Sequence, residues 1–176
     1  MKTTALFISL ILLTVGSTTL PGRAASTYKA CSLLTAAELE GALRQKLTRS
    51  DDSDIAVTEG PYKGETVSIC NWVLGFAYVT LAITRRPRTP QQRAAGLAIF
   101  REAEETLKKQ GWTIEAVTIG SAVCSTYRPP ATVKTPHGAG CAMEAKSFAF
   151  SLGVFGADAT PQQAKSLADR AAGRLP

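Results

Sequence analysis

The chain reads as an α+β domain: an antiparallel sheet with helices packed on one face, built from a strand–helix unit used twice. Three observations predict this. A cysteine, an alternating apolar run, a short loop and Thr-Pro-Gln-Gln recur at a constant offset of 71 residues, from Cys70 to Thr89 and again from Cys141 to Thr160. Within the runs Ala77, Val79, Leu81 and Ile83 align with Phe148, Phe150, Leu152 and Val154, the period-2 pattern of a half-buried strand. Helix-start signals then alternate with strand patterns in the order helix, strands, helix, strands, helix, which calls for a sheet and helices in separate layers. Thr-Pro-x-Gln is favoured at a helix start in its own right, since the Thr oxygen accepts from the N3 amide and Gln reaches back. The cysteine and the strand pattern at the same offset favour duplication, with pseudo-repeats at 31–110 and 111–176.

Each element has a local reason. Thr35 and Glu38 form a capping box, and Leu34 and Leu39 a hydrophobic staple, so a helix starts at Thr35. Leu39, Ala42, Leu43 and Leu47 trace its apolar face. Residues 49–53, Arg-Ser-Asp-Asp-Ser, predict a loop. Asp51, Asp52 and Asp54 there lack the central Gly and closing Glu of a calcium loop, so they read as a solvated turn. A short strand at Ile55–Val57, a turn around Gly60–Gly64 and a hairpin of Thr66–Val73 with Phe76–Thr84 follow, turning at Leu74-Gly75. In that hairpin Trp72 and Tyr78 are placed on the face opposite Val79 and Leu81. The second helix carries Leu97, Phe100, Ala103 and Leu107 inward and stops at Gly111. Trp112–Ile119 predicts a strand with an interrupted alternation, and residues 120–124 a tight turn or single helical turn. Arg128-Pro129-Pro130 and residues 136–140 frame a loop or short strand around Thr132 and Val133. The strand Phe148–Phe155 is more apolar than its counterpart, which places it nearer the sheet centre. The last helix turns Ala164, Leu167, Ala168, Ala171 and Leu175 inward.

The chain has 176 residues, 45% of them hydrophobic and 19% charged, enough for one domain with a core. Lys2 followed by the apolar run Ala5–Val15 and by Gly22-Arg23-Ala24 reads as a signal peptide over residues 1–24, cleaved near Ala24 or Ala25. The run is too short to span a bilayer, and no later stretch is apolar enough to do so. Residues 25–176 then form the single mature domain. Its address is exported, periplasmic or secreted. The four cysteines suit an oxidising compartment. Of three possible pairings, Cys31–Cys70 and Cys124–Cys141 are favoured because each joins neighbours within one half. A metal site fails on spacing, since there is no Cys-x-x-Cys and His137 is the only histidine. No cofactor is expected.

The formal charge of +6 falls to +4 once Lys2 and Arg23 leave with the signal segment. The basic residues are not interleaved with aromatics, which argues against nucleic acid. An envelope protein or an anionic envelope polymer is the expected partner. The loops of the two copies differ: Arg85-Arg86-Pro87-Arg88 in one, Gly156-Ala157-Asp158-Ala159 in the other. Arg85, Arg86 and Arg88 beside a helix N-terminus form a candidate anion site, weighed against a solvated basic loop.

Cys31-Ser32-Leu33-Leu34-Thr35 with Glu38, followed by Cys70 and Trp72, resembles a family of small bacterial cell-envelope proteins and lipoproteins, many of them actinobacterial. They open Cys-x-Leu-Leu-Thr and have no assigned activity. Their later Gly-x-Gly-Asp-Ala-like turn is similar to Thr118-Ile119-Gly120-Ser121-Ala122, with Ser121 in place of the acid. Lys29 before Cys31 departs from a lipid-attachment site. The resemblance implies an envelope location and no catalytic residues.

No nucleophile elbow surrounds a serine, and no phosphate loop or dinucleotide fingerprint is present. His137 lies in a Pro-His-Gly turn, an exposed setting. Two function classes follow. One is a non-enzymatic exported binding or interaction module. The other is a small envelope hydrolase cutting a wall polymer through paired carboxylates that only folding brings together.

Overall fold

The computed structural model describes residues 28–60, 63–85, 89–134, 136–156 and 159–175; within the second helix the side chains at 93, 95–97, 99 and 100 also fall outside that description. The expected signal segment, Arg86 and Arg88, and the side chains of Leu97 and Phe100, expected to face inward, therefore lie outside it.

Seven antiparallel strands dominate the described residues: β1 (Leu47–Ala56), β2 (Thr66–Leu74), β3 (Ala77–Arg85), β4 (Thr113–Ile119), β5 (Ala122–Arg128), β6 (Gly138–Ala145) and β7 (Phe148–Phe155). They form one sheet in the order β1-β2-β3-β7-β6-β5-β4. Among the described residues three α-helices accompany it: α1 (Ala36–Leu43), α2 (Pro90–Lys109) and α3 (Pro161–Gly173), with a 3-10 turn at Ala30–Ser32. The chain runs out from the β1 edge to β3, crosses through α2 to the far edge, and meanders back until β7 zips onto β3. Leu81 there faces Leu152 in the middle of the sheet.

This overturns the fold predicted from the sequence. The molecule is mainly a seven-stranded sheet, not a helical layer on one face of a duplicated strand–helix unit. Register assigns the sides. Cys70, Leu81, Leu152, Cys141 and Cys124 lie in one row across β2, β3, β7, β6 and β5, all on one face. α3 covers this first face, burying Ala164, Leu167, Ala168 and Ala171. The alanines allow close approach, so that Cys141 Sγ lies 3.6 Å from the Pro161 carbonyl at the start of α3. α2 belongs to the other side. Ser125, one residue along from Cys124 and therefore on the second face, donates to Glu104 of α2 at 3.1 Å. Two helices on opposite faces, following three strands in one half and four in the other, are not two copies of one unit. The echoed Thr-Pro-Gln-Gln is accounted for by helix-start physics. Thr89–Gln92 and Thr160–Gln163 each form a complete capping box, and so does Thr35–Glu38, which lies outside the two echoed stretches.

Four local expectations also change. Arg49–Ser53 is not a loop but the middle of β1. Its polar side chains are solvated while its backbone pairs with β2 from Leu47 to Ala56, and Lys29 ties it down through Asp54 at 2.7 Å and Asp52 at 3.4 Å. α1 ends at Leu43 because Arg44 adopts a left-handed conformation (φ 52°), so Leu47 opens β1 instead of extending the helix. Trp72 faces Val79 and shares its side of the sheet, buried in the core. Only Tyr78 takes the second face. Residues 122–124, expected in a turn, begin β5; Gly120 and Ser121 alone make the turn, and β4 runs in unbroken register with β5.

The core sits between the first face and α1, α3 and the 3-10 turn. Leu33, Leu34, Leu39, Trp72, Leu74, Val79, Ile83, Phe148, Phe150 and Val154 join the central row there. Ser68 is buried among them because its hydroxyl accepts from the Ala30 amide at 3.1 Å. β7, the apolar strand expected near the centre, is central.

Candidate functional site

The two disulfides close opposite ends of the first-face row. Cys31 of the 3-10 turn bonds Cys70 on β2, spanning 39 residues, and Cys124 bonds Cys141 across β5 and β6, spanning 17. Among the described residues no cysteine is free and no cluster of His, Cys, Asp and Glu fits a metal ion.

Only Arg85 of the candidate anion site is described. It is exposed at the end of β3, and its Nε donates to the Tyr28 hydroxyl at 3.4 Å. Tyr28 in turn meets Phe148 edge-on at 4.4 Å. The neighbouring helix start already uses its Gln92 amide on Thr89 Oγ1 at 3.1 Å, which leaves fewer free donors for an anion.

The second face of the sheet holds an arrangement that sequence patterning did not single out. Val73, Tyr78, Phe155, Gly138 and Tyr127 lie in one row across β2, β3, β7, β6 and β5. Tyr78 and Phe155 stack at 4.6 Å, and Tyr127 lies 6.4 Å from Phe155 on the other side. Gly138 makes the row possible. A Cβ there would stand 2.4 Å from Phe155 Cδ1, closer than any real contact, and one at Gly153 would stand 2.9 Å from Phe155 Cε2. The next row is Asn71, Thr80, Gly153, Gly140 and Ser125. Thr80 is 8% exposed, and among the described residues its hydroxyl has no hydrogen-bond partner. Ser125 is held by Glu104. Burial pushes the Tyr127 hydroxyl up to about 12, with Glu104 adding to the effect and Ser125 opposing it. Tyr78 is raised further, by burial alone. Both phenols are therefore neutral donors at any physiological pH. The result is an aromatic row on a glycine floor, flanked by hydroxyls and one carboxylate. The three rings are half-buried, and their open parts can stack against a flat or apolar group.

Seven of the described acids are engaged with cations. Asp52 and Asp54 hold Lys29, Asp51 holds Arg49, Glu40 holds Lys46, Glu105 holds Lys108, and Asp169 holds Lys165. Glu38 is clamped by Arg174 at 2.8 Å. His137 is exposed, and its carbonyl accepts from the Gly156 amide at 3.0 Å. A shallow groove of about 370 Å³ lies between α3 and β4, lined by Ile119, Gln162, Lys165, Ser166, Asp169 and Arg170.

No protein-family model matches the chain, and no curated protein matches it. The structure is similar to the crystal structure of the extracellular domain of PknH from Mycobacterium tuberculosis. The TM-score is 0.58, the sequence identity 10%, and the match covers 82% of this chain and 93% of that one. At that identity the likeness speaks for the fold alone. Among the described residues no helix is long and apolar enough to cross a membrane.

Proposed function

We propose that this chain is an exported, non-enzymatic binding module of the bacterial cell envelope, and that the second sheet face is its binding face. The observation that carries the reading is the Tyr78–Phe155–Tyr127 row on its glycine floor, with the buried Thr80 hydroxyl beside it. A sheet that gives up side chains at Gly138, Gly140 and Gly153 to seat aromatic rings is built for a shaped, partly apolar surface. Support for export comes from the signal-like first residues, from two disulfides and from the Cys-x-Leu-Leu-Thr resemblance. The neighbour being an extracellular domain points the same way. The ion-paired acids favour binding over the wall-polymer hydrolase. The partner is an envelope protein or an anionic polymer, the latter touching the Arg85–Arg88 loop.

A photo-crosslinking residue at position 78, with a control at exposed position 37 on α1, on the other side of the sheet, tests this in intact cells. The expected result is an adduct from position 78 and none from position 37. Protease sensitivity of the adduct then tells a protein partner from a polymer. Equal labelling at both positions, or none at 78, would remove the binding face.

A further inference from the structure

Among the described residues the sheet has two open edges, and they are protected differently. β1 carries Arg49, Asp51, Asp52 and Asp54, and its ladder shifts register between Leu47 and Arg49. Charges and bulges of this kind keep an edge from pairing with another strand. β4 reads Thr-Ile-Glu-Ala-Val-Thr-Ile, with Glu115 its single charge and no register shift. Thr113, Glu115, Ala116, Val117 and Thr118 are all exposed. Of the large hydrophobic residues exposed among the described residues, Val117 (39%) and Val123 (51%) stand on β4 and its neighbour β5, one on each face.

The direction of the free backbone groups follows from the disulfide next door. Cys124 and Cys141 face each other with Cα atoms 4.0 Å apart, the narrow spacing of a pair that does not exchange hydrogen bonds. The N–H and C=O of Cys124 therefore point to β4 and meet Val117. Alternation along β4 then turns the backbone groups of Ile114, Ala116 and Thr118 away from β5, outward.

We propose that β4 is the interface for a second copy of this chain, the two β4 strands pairing antiparallel about a two-fold axis at Ala116 and joining two sheets into one. In that register Ala116 meets the partner's Ala116, and Ile114 meets the partner's Thr118, each exchanging two hydrogen bonds. Glu115 stands opposite the partner's Val117, so no like charges face each other. Glu115, Val117 and Ile119 share the face that α3 covers, and Ile119 lines the groove that holds Lys165 and Arg170. Lys165 is held there by Asp169, so the partner's Glu115 is brought toward Arg170, and symmetry repeats the contact.

Sedimentation of the disulfide-bonded protein tests this. The expected result is a reversible monomer–dimer equilibrium within a concentration range reaching about 200 µM. Ala116→Pro removes an outward amide without touching the β5 ladder, and it should weaken the dimer at least about ten-fold. Val117→Lys, a side-chain change only, should do the same and serves if the proline variant does not fold. Phe76→Ser, at an exposed hairpin tip far from this edge, should leave the dimer unchanged. A wild-type protein that stays monomeric throughout that range overturns the proposal. So does a dimer that Val117→Lys and a folded Ala116→Pro both leave intact. If β4 binds a strand of another protein instead, the wild type stays monomeric and that first outcome reports it.

Discussion

Glu38→Gln isolates one ion pair at the point where the two ends of the described chain meet. Glu38 accepts from both terminal nitrogens of Arg174 at 2.8 Å, while Arg174 also donates to the Leu33 carbonyl at 2.9 Å. The same carboxylate closes the capping box of α1 through the Thr35 amide at 2.9 Å. Gln preserves that box, because its carbonyl oxygen can accept from Thr35; what it removes is charge. The Arg174 guanidinium, followed by the Thr35 amide, draws the Glu38 pKa from 4.5 down to about 2. At about 1.4 kcal/mol per pH unit the depression is worth at most about 3.4 kcal/mol. The side chains of Glu38 and Arg174 are 17% and 40% exposed, so solvent screening reduces this to about 1–2 kcal/mol. For a domain of this size that is a fall in Tm of about 2–8 °C at pH 7. The sign with pH is definite. A depressed carboxyl stabilises the fold above its unfolded pKa and loses the contribution as pH falls through the folded value. The gap between wild type and Glu38→Gln should therefore be full at pH 7, shrink below pH 4.5 and close near pH 2. Thermal melts followed by circular dichroism across that range measure it. A gap that is absent at pH 7, or that persists undiminished to pH 2, refutes the reasoning.

Three more outcomes follow from the packing and the charges. Replacing Cys31 and Cys70 by Ala frees a 39-residue separation and should cost about 4 kcal/mol, against about 3 kcal/mol for the 17-residue Cys124–Cys141 pair; urea melts that rank the two in the opposite order would contradict the loop-closure account. Gly138→Ala should force Phe155 off its stack with Tyr78 at a cost of about 1–3 kcal/mol, visible as lost near-ultraviolet dichroism, and an unchanged spectrum would mean that the ring does not rest on that glycine. Arg86→Ala with Arg88→Ala should elute earlier from a heparin column; unchanged retention removes the anion site.

The features legible in the sequence were those set by neighbours a few residues apart. Thr35, Thr89 and Thr160 announce their helices because a hydroxyl three residues before Glu or Gln satisfies the orphan amides locally. β7 reads as central because its inward positions are all large and apolar. The aromatic row on the second face was not legible. Gly138, Tyr127, Phe155 and Tyr78 are far apart in the chain, and only the register of four strands puts them side by side; three glycines in two strands were the one signal, and of these Gly138 and Gly140 read as loop residues. All of β1 before Ile55 was missed for a related reason. Its side chains are polar on both faces, so no period marks it, and the backbone ladder to β2 with Lys29 across it makes it a strand.

Taken alone, then, the order of residues determined where helices begin and which positions are apolar, since those depend on contacts the chain makes with itself nearby; it left three cysteine pairings open, and the placing of β2, β5 and β6 chose among them. The tertiary structure decided which face each helix covers. α3 brings a stripe of alanines that lets it settle onto the Cys124–Cys141 row, whereas α2 is carried across the opposite side by a connection from β3 to the far edge, and the hydrogen bond from Ser125 to Glu104 marks where it lands. An identical helix-start motif cannot encode that choice, because the side of a sheet on which a helix lies depends on strand order and crossover path, quantities that exist only once distant segments have paired.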